Sequence, residues 1–177
     1  TGLVAEDGTF TYTPQEDGVL YKMNTTRNRG PHPDYINMTD GASCRVLIDA
    51  VYEKHWEHYA DDFGKTIAGF FSDEPELGNG HLYELHHEMG IGFDMDYPWG
   101  QELEAALKAQ LGADFARKLP LIWETEGDES QRAKARYTYM DILTRLVEKN
   151  FSYQIGDCST SDISLRITDS TAGQVLR

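Results

Sequence analysis

The chain has 177 residues, of which 40% are hydrophobic, and this suffices for about one domain with a sizeable core. Its formal net charge of −14 argues against a nucleic-acid partner, because binding the phosphate backbone needs a basic face. We expect no membrane partner, because no run approaches the roughly 20 apolar residues of a membrane-spanning helix, and the two cysteines favour a cytoplasmic location.

The first third of the chain has two β-like segments followed by a helix. Residues 9–13 alternate in polarity, turn residues follow, and 19–26 form a second extended run. Between residues 43 and 63, apolar side chains recur every three or four positions. This spacing predicts an amphipathic helix, which either Thr39 or Asp40 would cap. Its predicted buried side chains are Ile48, Tyr52, Trp56, Tyr59 and Phe63.

An apolar strand is predicted directly after this helix. Gly64 closes the helix, and residues 65–71, KTIAGFF, form the nearly continuous apolar run that is typical of a parallel strand covered on both faces. A helix followed by a buried strand predicts the α/β fold class. The run ends at residues 72–75, SDEP.

Helices are predicted for most of the remaining chain. We expect a short helix at 81–89, a helix at 101–111 with one or two further turns at 113–119, and a long helix at 131–155. Residues 157–177 show no sustained period. We therefore assign 1–156 to one domain and 157–177 to an atypical tail. The predicted buried stripe of the long helix consists of Tyr139, Leu143, Leu146, Val147 and Phe151.

Two adjacent carboxyl groups, Asp73 and Glu74, follow the predicted strand. Side chains at the carboxyl end of a parallel strand reach the ligand crevice of an α/β sheet or barrel. Repulsion between the two charges and apolar neighbours would raise at least one pKa, and such an acid can protonate a glycosidic oxygen. The alternative is a solvated turn in which Asp73 caps the next segment.

Four stretches carry a resemblance to a known family: residues 35–77, which include YINMTDGASC and GFFSDEPEL; YPWGQELEAALKAQLGADF; LPLIWE; and ARYTYMDILTRLVEKNFSYQIGD. In this order they resemble the barrel region of bacterial glycosyl hydrolases that include alpha-L-rhamnosidase-like proteins. The resemblance covers most of residues 35–157. It implies a partial (β/α)8 (TIM) barrel that acts on a carbohydrate substrate, and we expect no cofactor and no metal.

The resemblance also suggests roles for individual residues. The pattern F-[ST]-D-E-P is similar to the N-E-P of many retaining glycosidases, in which the Glu is the general acid/base. Carried over, Glu74 would be the catalytic acid/base, and Asp73, where the commoner pattern has Asn, would bind substrate.

Three further residues are candidates for substrate binding. Trp99 offers a flat apolar face to a sugar ring, or alternatively packs its loop against the following helix. Arg29 and Tyr35 follow the second predicted strand and either line the crevice or are ordinary loop residues.

The predicted site lacks the second carboxylate that glycoside hydrolysis normally uses on the opposite side of the scissile bond. Asp73 and Glu74 are neighbours and do not form an opposed pair, and a whole barrel takes about 250 residues. We therefore expect an N-terminal part of a barrel with a frameshift near Asp157. Its uncovered sheet edges would favour self-association and leave the isolated chain inactive.

Two other functions stay open. One is a non-catalytic carbohydrate-binding or interaction domain. The other is a metal-dependent hydrolase that uses Asp73, Glu74 and His81. The metal alternative is disfavoured because His81 and His86 do not stack on one helix face and the rings of His86 and His87 point apart.

Overall fold

The computed structural model describes residues 13, 17–23, 25, 35–72, 75, 77 and 97–158. Most of these residues are helical, and short 3-10 or π turns extend or join the helices. The α-helices are α1 (Gly41–Leu47), α2 (Glu53–Tyr59), α3 (Gln101–Leu111), α4 (Phe115–Lys118), α5 (Glu129–Val147) and α6 (Gln154–Cys158).

Two π-helical segments make longer continuous helices out of these pieces. Ile48–Tyr52 joins α1 to α2, and Glu148–Tyr153 joins α5 to α6. The 3-10 segments Ala60–Asp62, Gly112–Asp114 and Leu119–Ile122 follow α2, α3 and α4. The helices predicted at 43–63, 101–111 and 131–155, and the turns at 113–119, are therefore confirmed.

Aspartate side chains begin two of these helices. Asp40 Oδ1 accepts a hydrogen bond from the Ser43 backbone N–H at 2.9 Å, so Asp40 rather than Thr39 caps α1. Asp128 caps α5 in the same way, accepting from the backbone N–H of Ser130 at 2.9 Å and of Gln131 at 3.3 Å. Each such cap contributes about 0.5–2 kcal/mol to stability.

One hydrophobic core holds α3, α4 and the Leu119–Ile122 turn against α5. The α1 helix packs further along the same long helix, against Glu148–Tyr153 and α6. The 129–158 helix is therefore a spine that carries α3 and α4 on its first part and α1 on its second. The buried residues of the core are Leu103, Leu107, Leu119, Ile122, Ala135, Tyr139 and Leu143.

Of the ten side chains predicted to be buried in the two stripes, four are buried, five are partly buried and one is exposed. The four buried residues are Ile48, Phe63, Tyr139 and Leu143. Tyr59 is 49% exposed, and its backbone leaves the α conformation at the end of α2, with φ −129° and ψ 21°.

The predicted α/β fold, a partial (β/α)8 barrel, is wrong for the part of the chain that the structure describes, which contains helices and no strand. In residues 65–71, Lys65 and Thr66 lie in a turn, Ile67 makes an isolated bridge to Phe63, and the rest is irregular. Residues 19–23 also form no strand.

The apolar run at 65–71 arises from packing on a helix rather than from a sheet. The Phe70 ring lies 4.7 Å from that of Tyr52 and 5.5 Å from that of His55 on the first helical stretch. Phe71, which a doubly covered strand would bury, is 66% exposed. A short apolar run looks the same in sequence whether it forms a buried strand or an irregular segment packed on a helix, so hydrophobicity alone does not distinguish the two.

The expected self-association depended on uncovered sheet edges, and the described residues contain no sheet. Other expectations lie outside the described residues: the strand at 9–13, the helix at 81–89 and the tail beyond 158. The predicted domain boundary at 156/157 falls within α6, which runs to Cys158.

Candidate functional site

Two of the five predicted site residues belong to the described part of the chain. These are Trp99, at the end of the 97–100 segment, and Tyr35, which precedes α1. Arg29, Asp73 and Glu74 lie outside the described residues. The site can therefore be built from Trp99, Tyr35 and the described residues on either side of the acidic pair.

The 97–100 segment that carries Trp99 is fixed to α3 and α5. Trp99 is partly buried against the core, and Lys108 first and then Trp99 hold the pKa of Glu104 on α3 below its ordinary value. The Tyr139 hydroxyl donates to the Pro98 carbonyl at 2.7 Å, and the Tyr97 ring lies edge-on to that of Tyr139 at 5.6 Å. These contacts match the alternative in which Trp99 packs its loop against the following helix.

Tyr35 precedes the start of α1 by six residues and is 38% exposed. The pKa of Tyr52 is raised, first by burial and then by the charge of Tyr35. Tyr52 itself packs against Phe70, three residues before Asp73.

Asn37 joins the segment of Tyr35 to the segment of Trp99. Its side-chain amide Nδ2 donates to the Trp99 carbonyl at 2.8 Å. Its Oδ1 accepts from Thr39, from the backbone N–H at 3.0 Å and from the hydroxyl at 2.7 Å. Its own backbone N–H donates to Ser43 Oγ at 2.9 Å. The Asn37 side chain thus fixes both the turn before α1 and the distance between that turn and the Trp99 segment.

Glu102 forms a second connection between these elements. Its Oε1 accepts from the Gly41 backbone N–H at 2.9 Å, and its Oε2 accepts from Lys149 Nζ at 3.1 Å. The pKa of Glu102 is held below its ordinary value, first by the Gly41 N–H and then by Lys149 and Asn150. A carboxylate kept ionised by three donors cannot supply a proton near neutral pH, so Glu102 is structural.

Asn150 completes this polar junction from the long helix. It is only 3% exposed, and its Nδ2 donates to the Thr39 carbonyl at 2.9 Å. The sequence reasoning missed Asn37, Glu102 and Asn150. The sequence did contain an indication for Asn150. It follows Leu143 by seven residues and so lies on the apolar stripe of the helix, and a buried Asn there must have hydrogen-bond partners.

The Glu102 contacts predict acid sensitivity. Because the folded-state pKa is depressed, the stabilisation is complete above the unfolded pKa of about 4.3 and is lost as pH falls through the folded value. Glu102→Gln should therefore flatten the dependence of unfolding free energy on pH below about 5, measured by urea titration at several pH values. Lys149→Ala should keep most of that pH dependence, since the Gly41 N–H lowers the pKa of Glu102 more than Lys149 does. Equal pH dependence of the unfolding free energy in wild type and Glu102→Gln would contradict the prediction.

The acidic pair is flanked in sequence by two anchored side chains. Phe70, four residues before Glu74, packs among Tyr52, His55 and Phe63, with ring distances of 4.7, 5.5 and 5.6 Å. Leu77, three residues after Glu74, packs against the core between α3 and α5. Trp99 packs against the same core.

Two further kinds of site are a metal centre and a reactive thiol. No group of three or more His, Cys, Asp or Glu side chains in the described residues is arranged to hold a metal ion. Cys44 is buried in α1, and burial raises the pKa of its thiol to about 11, so it is a structural side chain rather than a nucleophile.

Within the described residues, no helix is both long enough and apolar enough to cross a membrane. Comparisons with models of protein families, with curated proteins and with solved structures each find no match.

Proposed function

We propose that the chain is part of a glycoside hydrolase in which Glu74 is the acid/base and Asp73, Trp99, Tyr35 and Arg29 bind the sugar. The proposal depends on the SDEP motif and its resemblance to glycosidases. It does not depend on a barrel, which the helical fold of the described residues contradicts.

One observation carries the proposal: Leu77, three residues beyond Glu74, and Trp99 pack against the same core. A fully solvated acidic turn needs no such anchor, whereas a binding cleft needs its acidic segment attached to the packed part of the protein. The packing of Phe70 against Tyr52 gives the segment a second anchor at its other end.

The proposed chemistry uses Glu74 as a protonated carboxylic acid. It transfers its proton to the glycosidic oxygen as the bond between that oxygen and the anomeric carbon breaks, and the oxygen leaves with the electron pair. The resulting carboxylate then removes a proton from the attacking water. A second carboxylate on the opposite face of the sugar ring is required, and Asp73, adjacent in sequence, is not proposed for it.

The second candidate is a domain that binds carbohydrate or a partner without catalysis. This candidate needs no acid/base, and the packing of Leu77 and Trp99 against one core supports it equally. In either case the expected partner is a carbohydrate, with no cofactor. We place the protein in the cytoplasm, since its buried free Cys44 suits a reducing compartment.

The test is turnover of a panel of methyl and 4-nitrophenyl glycosides by the complete gene product that contains these residues, with and without Glu74→Gln, since the methyl glycosides have the leaving group that needs an acid. Hydrolysis that depends on Glu74 supports the enzyme. Sugar binding without hydrolysis, measured by calorimetry, supports the binding domain.

A further inference from the structure

The segments of Tyr35 and Trp99 meet at a single side chain, Asn37. Its Nδ2 donates to the Trp99 carbonyl at 2.8 Å, while its backbone lies two residues from Tyr35. The hydrogen bonds from Thr39 to Oδ1 fix the amide orientation, so that the nitrogen faces Trp99.

Gly100 is a second close neighbour of this amide. A Cβ atom at Gly100 would lie 3.0 Å from Asn37 Nδ2 and 3.3 Å from Thr39 Oγ1. The Gly100 backbone, with φ −169° and ψ 169°, is extended and accessible to any residue. A methyl group at residue 100 would therefore crowd the Asn37 amide without straining the backbone.

We infer that Asn37 is a positioning residue that sets the separation of Tyr35 and Trp99, and hence the size of sugar unit that the two side chains accept. This inference rests on the proposed function, which assigns both side chains to sugar binding. Asn37 itself touches no substrate; it acts through the Trp99 carbonyl.

The principal variant is Asn37→Asp, which has the same shape. Its second oxygen would face the Trp99 carbonyl oxygen, so an attractive contact becomes a repulsive one, while Oδ1 still accepts from Thr39. Gly100→Ala crowds the same amide with a methyl group. If both substitutions act on one contact, the double variant should lose less free energy of unfolding than the sum of the losses in the two single variants.

The matched control is Ser43→Ala. It removes the hydrogen bond from the Asn37 backbone N–H to Ser43 Oγ in the same turn, but leaves the contact with Trp99 in place. A purely structural role for Asn37 would give similar results in Asn37→Asp and Ser43→Ala.

The first readout needs no sugar. In a background in which Phe replaces Trp56 and Trp123, acrylamide quenching of fluorescence reports on Trp99 alone. Asn37→Asp and Gly100→Ala should raise the quenching constant of Trp99, whereas Ser43→Ala should not. Unchanged quenching in folded Asn37→Asp protein would overturn the inference.

The second readout is kinetic, with the 4-nitrophenyl glycoside that the wild type hydrolyses fastest. We expect Asn37→Asp to raise KM roughly tenfold with kcat little changed, since weakening a binding contact that is equal in the ground state and the transition state raises KM alone. A KM equal to that of Ser43→Ala would overturn the inference. Full turnover of methyl glycosides by Glu74→Gln would instead refute the proposed function, so the two failures are distinguishable.

Discussion

Replacement of Glu74 by Gln is expected to lower kcat for methyl glycosides by about 100- to 10,000-fold, the usual contribution of a general acid/base. Gln has nearly the same shape but holds no transferable proton, so the leaving oxygen would depart as an alkoxide. For 4-nitrophenyl glycosides of the same sugar the loss in bond cleavage should be smaller, because that leaving group needs little protonation. The measurement is kcat and kcat/KM for both substrates with the complete gene product; kcat/KM reports cleavage of the glycosidic bond, whereas kcat also includes the water step, in which Glu74 is the base.

The control for this variant is Asp73→Asn, which places Asn where the commoner N-E-P pattern has it. We expect this variant to retain kcat within about tenfold, since Asp73 is proposed only to bind substrate. Equal losses on methyl and 4-nitrophenyl substrates, or full activity of Glu74→Gln, would show that residue 74 is not the acid. Activity that a chelator abolishes would favour the metal-dependent alternative.

Helical periodicity predicted the helices of this chain well, because each buries one face against a neighbour. Leu103 and Leu107 of α3, and Tyr139 and Leu143 of α5, recur at intervals of four and are all buried in one core. The Asp40 cap was one of two candidates in the sequence, and the structure selects it through its contact with the Ser43 N–H.

The strand prediction failed because pairing in a sheet depends on a partner that local sequence does not specify. Residues 65–71 are as apolar as a buried strand, yet Phe70 finds its contacts on Tyr52 and His55. The resemblance to barrel hydrolases supported the same error, since it implied a sheet in which that run would be covered on both faces.

The candidate site was only partly accessible to sequence reasoning. A sugar-binding or packing role for Trp99 followed from its residue type, and its contacts with the core are observed. The Asn37 and Glu102 connections could not be predicted, because each joins residues about 60 positions apart through hydrogen bonds. Side-chain amides and carboxylates have no periodic pattern that would indicate such partners.

The largest effect on stability is expected at Tyr139. Its ring is 1% exposed, in the middle of the core, and its hydroxyl donates to the Pro98 carbonyl at 2.7 Å. Tyr139→Ala should lower the free energy of unfolding by about 3–5 kcal/mol through lost burial and the remaining cavity. Urea denaturation followed by circular dichroism measures this change.

Two further variants separate the contributions of the Tyr139 side chain. Tyr139→Phe keeps the ring but leaves the Pro98 carbonyl without its donor, at a cost of about 1–3 kcal/mol. Tyr137→Ala, on the exposed face of the same helix with 72% of its surface accessible, should change stability by less than about 0.5 kcal/mol. Similar losses at 137 and 139 would contradict the core described above.

The Tyr139→Phe variant also connects the core to the candidate site. The Pro98 carbonyl is in the residue before Trp99, so the hydroxyl of Tyr139 fixes the 97–100 segment from the core side while Asn37 fixes it from the α1 side. Loss of the hydroxyl should therefore increase acrylamide quenching of Trp99 as well as lower stability. If stability falls and the Trp99 signal stays constant, the Asn37 contact alone is sufficient to hold the segment.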